Sequence, residues 1–384
     1  MNKTFQVKSF VLKSGERVSI IVDRKTAIPL DLANQYLLQN RRPLHSPNTL
    51  RKDAATLCLV LNTFHPKRFD LDFIRFLSSV EIFKLWEKLR SSNARGLVSP
   101  LSHVHRWLTF EKFFDYSINS YLLEIDPKSK DFHSLLKKKE IILKEIKRLS
   151  YKPKTQRRQG IDKGLINQII SMTRVQSILN PWIKRDRLRN QLIVDLLINL
   201  GIRAGELLKI ELTDLKLNGS NASLIIKRSE NDIEDPRKYE PRVKTFGRIL
   251  EISPHLADQI IQFLKERRTI PNSKRSKFLF IANTDGTPLS YAGLNALIKK
   301  IRLDDPEDPR PITVHTFRRT WNDIFRENAE ESGLSEELIT QTQNYLQGRM
   351  ANSPEAYKYA SKHIEKTARI AHINYQKNLL DGIK

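Results

Sequence analysis

Residues 189–215 read RNQLIVDLLINLGIRAGELLKIELTDL. An apolar run from Leu192 to Leu200 meets the pair Gly201-Ile202 and resumes after Arg203 at helical spacing. Glycine interrupts a helix because it tolerates backbone angles that other residues avoid. The stretch therefore reads as two helices broken at Gly201, with Arg203 at the start of the second and Glu206 one turn later. An arginine in that place can present its planar fork to a phosphate through two parallel hydrogen bonds, with Glu206 holding the fork from behind. Taken alone, such a pair reads equally well as a surface ion pair.

Three strand candidates follow: SLIIKRS (223–229), then RVKT (242–245) and RILEIS (248–253) around a Phe246-Gly247 turn. Between the first and second lies ENDIEDPRKYEP (230–241), a long polar loop. Helices resume with PHLADQIIQFLKERR (254–268), and the remainder is helical with breaks near 271–290, 304–311 and 350–354. Upstream, FQVKSFVL and RVSIIV alternate apolar and polar residues around Ser14-Gly15-Glu16, as a β-hairpin does. Ser46-Pro47 suits an N-cap and first helical position. In HVHRWLTFEKFFDYSINSYLL, Trp107, Phe110, Phe114 and Ile118 make an aromatic stripe that fits a core better than a base-stacking surface. The fold class expected is mainly α with a small antiparallel β-sheet. The organisation expected is an N-terminal hairpin or arm region (1–45), a small helical domain (46–150), a basic linker (151–160) and a C-terminal domain (161–384).

Charge restricts the partner. The 384 residues hold 67 Lys plus Arg against 43 Asp plus Glu, a formal net charge of +24. Such an excess favours a polyanion, nucleic acid ahead of an acidic membrane surface. The basic residues crowd between Lys137 and Arg158, ten against two acidic, ending in SYKPKTQRRQG. A linker of one sign in a chain of the same sign repels itself unless a polyanion lies against it. The single cysteine, Cys58, lies in the apolar run LCLVL, which points to burial and excludes an internal disulfide or a Cys-rich zinc site. His103, His105 and His133 have no metal-ligand spacing. No stretch approaches the ~20 apolar residues of a membrane span, and the N-terminus has no signal-peptide core. A soluble cytoplasmic protein without membrane contact is expected, nucleoid-associated when bound to DNA.

Three more stretches carry chemistry. VKTFGRILEIS sets Lys244 beside a tight turn, where an ammonium can reach a groove and protonate a leaving alkoxide. HTFRRTW (315–321) sets His315 and Arg318 one helical turn apart, cations that repel unless an anion lies between them. GRMANSPEAYKYASKH sets Tyr357 and Tyr359 after a Ser-Pro turn. A phenol attacks phosphorus only if its proton is taken and the developing charge neutralised.

The order Arg, Lys, His-x-x-Arg, Tyr resembles the tyrosine recombinase (phage integrase) family. The resemblance spans roughly residues 46–384, as a helical core-binding domain, a linker and a catalytic domain, and in sequence detail is strong only in the last. It implies that Arg203 and Arg318 grip the non-bridging oxygens of a DNA phosphodiester. Tyr359 would attack and form a 3′-phosphotyrosine bond, with Tyr357 as the fallback. Lys244 would protonate the departing 5′-oxygen, with Lys227 as its fallback, and His315 would accept the tyrosine proton or orient the phosphate. The family usually has Gly-His, less often Trp, about nine residues before the nucleophile. Here Arg349 follows Gly348, ten residues before Tyr359, and Met350 stands nine before: either Arg349 replaces the usual donor or the alignment slips by one.

No metal, cofactor or ATP is implied, since arginines supply the charge and the phosphotyrosine bond conserves phosphodiester energy. The partners implied are double-stranded DNA at a specific site, further copies of the chain forming a tetramer through the C-terminal tail, and accessory DNA-bending or directionality proteins. A mobile genetic element is the implied context. Two other readings share parts of this pattern: a type IB topoisomerase, and a catalytically impaired DNA-binding accessory protein.

Overall fold

The computed structural model describes residues 4–65, 69–92, 96–154, 160–217, 222–302, 311–349 and 354–381, with the backbone alone at 92, 354–363, 380 and 381. The chain divides into two compact units, Met1–Gln156 and Arg157–Lys384. The fold is mainly helical with small antiparallel sheets. Among the described residues, no helix is long and apolar enough to cross a membrane.

In the first unit, β1 (Phe5–Val11) and β2 (Arg17–Asp23) pair antiparallel, Phe5 opposite Asp23 and Val11 opposite Arg17. Four longer helices follow: α1 (Pro47–Phe64), α2 (Ser79–Arg90), α3 (Pro100–Leu122) and α4 (Lys130–Arg148). Ser46 does precede α1 in extended conformation with Pro47 at the first helical position. Its hydroxyl meets that of Thr49 instead of a backbone N–H. The stripe Trp107, Phe110, Phe114, Ile118 is fully within a core shared with Ile82, Leu85 and Ile146. A second cluster joins Ile21 of the hairpin to Tyr36, Leu57 and Phe113, so residues of 1–45 share a core with α1 and α3. His103 is buried, between the Trp86 carbonyl and the Tyr151 hydroxyl. Cys58 is half-buried, and its carbonyl accepts from the Asn62 amide. The basic run from Lys137 to Arg148 is the last part of α4. Arg157 and Arg158, within residues 155–159, lie outside the described residues.

The second unit is built on α6 (Arg187–Leu200), which follows α5 (Lys163–Thr173) and is buried along nearly its whole length. Its apolar residues run all round, so neighbours must cover every side. Those neighbours include α8 (Pro254–Arg267) and α10 (Val314–Glu331). The sheet has the order β3 (Leu215–Lys216), β4 (Ser223–Ile226), β5 (Arg248–Glu251), antiparallel, with Ile226 opposite Arg248. RVKT is not a strand: Val243 makes one isolated bridge to Ser229, and β3 takes the third place in the sheet. The remaining helices are α7 (Ala204–Lys209), α9 (Tyr291–Ile298), α11 (Glu336–Leu346) and α12 (Pro354–Asp381). On α12, Ala368, Tyr375 and Leu379 pack into the core of their own unit. The C-terminal tail, expected to join further copies of the chain, thus packs on its own unit as far as Leu379.

Candidate active site

The C-terminus of α6 launches Arg203. Gly201 has φ 57°, and a Cβ there would lie 2.4 Å from the Trp321 ring. Only glycine fits both the left-handed backbone and the indole. The last carbonyls of a helix lack partners within it. Here side chains from α10 and α12 supply them: Trp321 Nε1 donates to Asn199 O (3.1 Å), His372 Nε2 to the same oxygen (3.0 Å) and the Tyr375 hydroxyl to Ile198 O (2.9 Å). Arg318 Nη1 donates to Gly201 O. The turn before Arg203 is therefore locked by two other helices.

Arg203 is the N-cap of α7, and its N–H donates to Glu206 Oε2 at 2.8 Å. The expectation that Glu206 holds the Arg203 fork is only partly met. The nearest approach of fork and carboxylate is 3.5 Å. Glu206 is gripped instead by Arg248, Nη1 to Oε1 and Nη2 to Oε2, each 3.1 Å, and accepts from the Thr245 hydroxyl. Burial alone would raise the Glu206 carboxyl. The Arg248 charge and these hydrogen bonds, with that from the Arg203 N–H, outweigh it and hold it below the usual range. Arg248 was not legible as a site residue, because nothing local in VKTFGR distinguishes a buried arginine from a surface one.

Arg203 Nη1 and Arg318 Nη2 converge on one oxygen, the Gln347 carbonyl, at 2.9 and 3.4 Å. Arg318 is 5% exposed, and burial pushes its guanidinium down to about 9. Arg203, Arg248 and Arg349 add repulsion, and Glu206 opposes it. Arg203 is lowered by burial first and then, against the pull of Glu206, by Arg248 and Arg349. His315 is exposed, one turn before Arg318 on α10. Burial of part of its ring, then Arg319, Arg318 and Arg203, lower its pKa. The imidazole is therefore neutral at pH 7, in the form that accepts a proton.

Gln347–Arg349 closes α11. The Gly348 N–H donates to Tyr345 O and the Arg349 N–H to Asn344 O, both 2.9 Å, with Gly348 at φ 59°. This paired end-of-helix motif needs glycine at its left-handed position. A Cβ at Gly348 would also meet Arg248 Nη1 at 2.7 Å and Thr245 Cβ at 2.8 Å. Gly348 O accepts from the Phe246 N–H at 3.2 Å, and Leu346 O accepts from Arg248 Nε at 2.6 Å. One turn therefore touches Arg203, Arg318, Arg248 and the loop that bears Lys244, and it exposes Arg349.

Lys244 is exposed between buried Val243 and Thr245. The long loop before it is pinned by charge. Asp232, Asp235 and Glu240, which lie close enough together to hold a metal ion, close on the Lys209 ammonium at 2.9, 3.1 and 3.0 Å. Arg237 pairs with Asp235 and donates to the carbonyls of Leu208 and Leu289. Lys227, the fallback, is held by Asp214 at 2.5 Å. Tyr357 and Tyr359 lie on α12, and their side chains are outside the described residues. The structure thus brings His315 and Arg349 each within electrostatic reach of Arg203 and Arg318, and ties the Lys244 loop to the same turn.

Residues 166–338 match the model of the phage integrase family. The chain carries a tyrosine recombinase (phage integrase) family domain. The match includes Arg203, Lys244, His315 and Arg318 and ends before Arg349 and Tyr359. Curated relatives include a tyrosine recombinase XerD of Halalkalibacterium halodurans, 24% identical over 44% of this chain and 52% of the relative. A tyrosine recombinase XerD of Listeria innocua is 28% identical over 44% of this chain and 54% of the relative. The chain spans about half the length of the curated relatives it matches. Among solved structures, the Tn1549 transposon integrase in complex with transposon right end DNA has 14% identity and a TM-score of 0.51, covering 88% of this chain and 100% of that one. The same integrase with a circular intermediate DNA gives 13%, a TM-score of 0.52, and 86% and 99% coverage. At these identities the likeness is one of fold. This recombinase-family fold is what sets the α6–α7 turn, the β4–β5 loop, α10 and the end of α11 around one point.

Proposed function

We propose that the protein is a site-specific DNA recombinase that cleaves and rejoins strands through a 3′-phosphotyrosine intermediate. The observation that carries this reading is the convergence of Arg203 and Arg318 on a single oxygen, with Arg349 adding positive potential and His315 one turn before Arg318. Cations held close enough to repel one another make a site whose charge is balanced by an anion. A phosphodiester fits the geometry: its two non-bridging oxygens face two guanidinium groups, and their charge grows in the pentacoordinate transition state.

In this mechanism the Tyr359 oxygen forms a bond to phosphorus as the bond to the 5′-oxygen breaks. His315, neutral at pH 7, takes the phenol proton. Lys244 gives a proton to the 5′-oxygen. Arg349 donates to the phosphate beside Arg203 and Arg318. Reversal with a new 5′-hydroxyl rejoins the strand, so the energy of one diester is kept in the next and no nucleotide is spent. The partner is double-stranded DNA at a defined site, and exchange between two duplexes calls for a homo-tetramer.

The test is covalent capture on a nicked duplex that bears a site selected by the protein from a random-sequence pool. The nick lets the fragment beyond the cleavage point diffuse away and traps the adduct. Wild-type protein should yield an adduct mapped to Tyr359, and Tyr359→Phe should bind the duplex normally and yield none. An adduct that survives in Tyr359→Phe and vanishes in Tyr357→Phe would move the nucleophile by two residues. Absence of any adduct with wild-type protein would leave a DNA-binding protein without this activity.

A further inference from the structure

Gly205 lies in the first turn of α7, between the N-cap Arg203 and the buried Glu206. A Cβ there would stand 2.4 Å from the Arg242 carbonyl oxygen and 2.9 Å from the Tyr291 hydroxyl. The first neighbour is backbone, and the second is the tip of a ring packed against the core at the start of α9. Only glycine lets the chain cross so closely. The Tyr291 hydroxyl also hydrogen-bonds to the Arg242 main chain. The segment that crosses, residues 242–246, carries Lys244.

The crossing belongs to a longer alignment. Residues 232–245 follow α7 from its last residue back to its first turn. Lys209, at the end of the helix, holds Asp232, Asp235 and Glu240, and Arg237 donates to Leu208 O at 3.0 Å. Arg242 then crosses Gly205, and the Thr245 hydroxyl donates to Glu206 Oε1. A buried ion cluster is a weak source of net stability. What this one supplies is a fixed path, which brings the backbone of 242–246 onto the helix that begins at Arg203. The Lys244 side chain stays exposed, so the backbone is fixed and the ammonium is free.

We propose that Gly205 and Tyr291 are positioning residues that set the Lys244 backbone at a fixed distance from Arg203, so that the ammonium reaches the departing 5′-oxygen of the phosphate that Arg203 grips. This rests on the recombinase reading above. The step served is the transfer of one proton from the Lys244 ammonium to that oxygen as its bond to phosphorus breaks. Moving a catalytic group by about 1 Å can cost on the order of 10²-fold in rate. Arg248 grips Glu206 and so fixes α7. A Cβ at Gly205 therefore displaces the crossing segment and leaves Arg203 in place.

The experiment uses the full chain, the selected nicked duplex and a second duplex with sulfur at the bridging 5′ position, whose thiolate leaves unprotonated. Each variant is compared with wild type on the same duplex. Gly205→Ala should bind both duplexes normally, cleave the oxygen duplex roughly 10–10²-fold more slowly and cleave the sulfur duplex at close to the wild-type rate. Combined with Lys244→Ala, it should slow the oxygen duplex no further. Tyr291→Phe removes one hydroxyl from the crossing and keeps the ring in the core. It should show the same pattern with a severalfold loss, and it carries the test alone if Gly205→Ala fails to fold. Variants slow on both duplexes, or as fast as wild type on both, overturn the inference. A Lys244→Ala protein that sulfur does not rescue, beside a wild type that forms the adduct, removes proton delivery by Lys244 and the inference with it. Failure of wild-type protein to form the adduct overturns the enzyme reading itself.

Discussion

Arg318 and Lys244 belong to the same proposed reaction and are held in opposite ways. Arg318 is buried on a long helix, its guanidinium fixed by carbonyls from two other segments. Lys244 is exposed on a loop held by a distant knot of ion pairs, by the Val243 and Phe246 N–H groups and by the Thr245 hydroxyl on Glu206, its own side chain left outside these contacts. Arg203 stands with the first, and Arg349, on its turn, with the second. The difference matches what each has to do. Charge that stabilises a transition state acts best when it is preorganised and need not move. A group that delivers a proton to a departing oxygen needs reach and freedom instead.

Preorganisation has an energetic consequence that separates the two kinds of cation. Keeping Arg318 charged in its buried, repulsive setting costs the fold roughly 5 kcal/mol, as its fall from 12.5 to about 9 implies. Its two carbonyl hydrogen bonds offset this at about 1.5–3 kcal/mol each. Arg318→Ala should therefore lower cleavage of bound duplex by ~10³-fold, the upper range for removing one oxyanion donor, with only a small change in melting temperature. Single-turnover cleavage and thermal melting on the same sample check both halves. A large drop in stability would show that the carbonyl bonds dominate and that the arginine is chiefly structural.

Lys244→Ala should slow cleavage by about 10²–10⁴-fold, the range for loss of a general acid, with melting unchanged because the side chain is exposed. The comparison sharpens with a duplex in which sulfur replaces the bridging 5′-oxygen. A thiolate leaves without a proton, so the sulfur substrate should restore the Lys244→Ala rate and leave Arg318→Ala slow. If both variants were rescued alike, the division of roles between buried and exposed cations would fall.

Arg349→Ala should cost less, on the order of 10²-fold in cleavage, because an exposed guanidinium is screened by water. Binding should hold, and Arg349→His should recover part of the rate, since an imidazole can donate to the same oxygen. Weaker binding with an unchanged rate of bound substrate would make Arg349 a DNA-backbone contact.

How much of this was legible in the sequence follows the same division. Arg203, His315 and Arg318 sit in short patterns whose spacing alone puts them at helix starts, and the structure brings them together. The hairpin, the aromatic stripe of α3 and the helix break at Gly201 were legible for the same local reason. RVKT failed as a strand because the third place in the sheet goes to Leu215–Lys216, which pairs with Leu224 and Ser223, and leaves Val243 one isolated bridge to Ser229. Arg248 and Gln347 were invisible because their significance is tertiary. One needs Glu206 across 42 residues, and the other needs two arginines from separate elements. Glu206 itself was read as the partner of Arg203, the nearest arginine in sequence, when burial gives it to Arg248.

The buried half of the site rests on one more titratable group, and it gives the smallest and most selective effect. His372 is wholly buried on α12, donates to Asn199 O, and is pushed down to about 4, first by burial and then by Arg248, against the pull of that hydrogen bond. A histidine lowered in the fold favours folding above its unfolded value near 6.5, and that stability is lost as pH falls from there towards 4. The full loss is roughly 3 kcal/mol. Asp195, also buried and raised to about 6, runs the other way: it favours the fold at low pH and loses that contribution as pH rises from 3.8 through 6. The two nearly cancel in the wild-type curve, so the curve alone is uninformative. His372→Gln keeps a donor for Asn199 O and removes the titration. At pH 7 it should cleave like wild type, because Lys244 and Arg349 are untouched and the α6 terminus stays capped. Between pH 6.5 and 4 it should gain on wild type in denaturant midpoint, progressively and by an amount approaching that full loss. Parallel curves for the two proteins across that window would mean that His372 is already protonated in the fold. The lock on the α6 terminus would then hold a second buried cation beside Arg318.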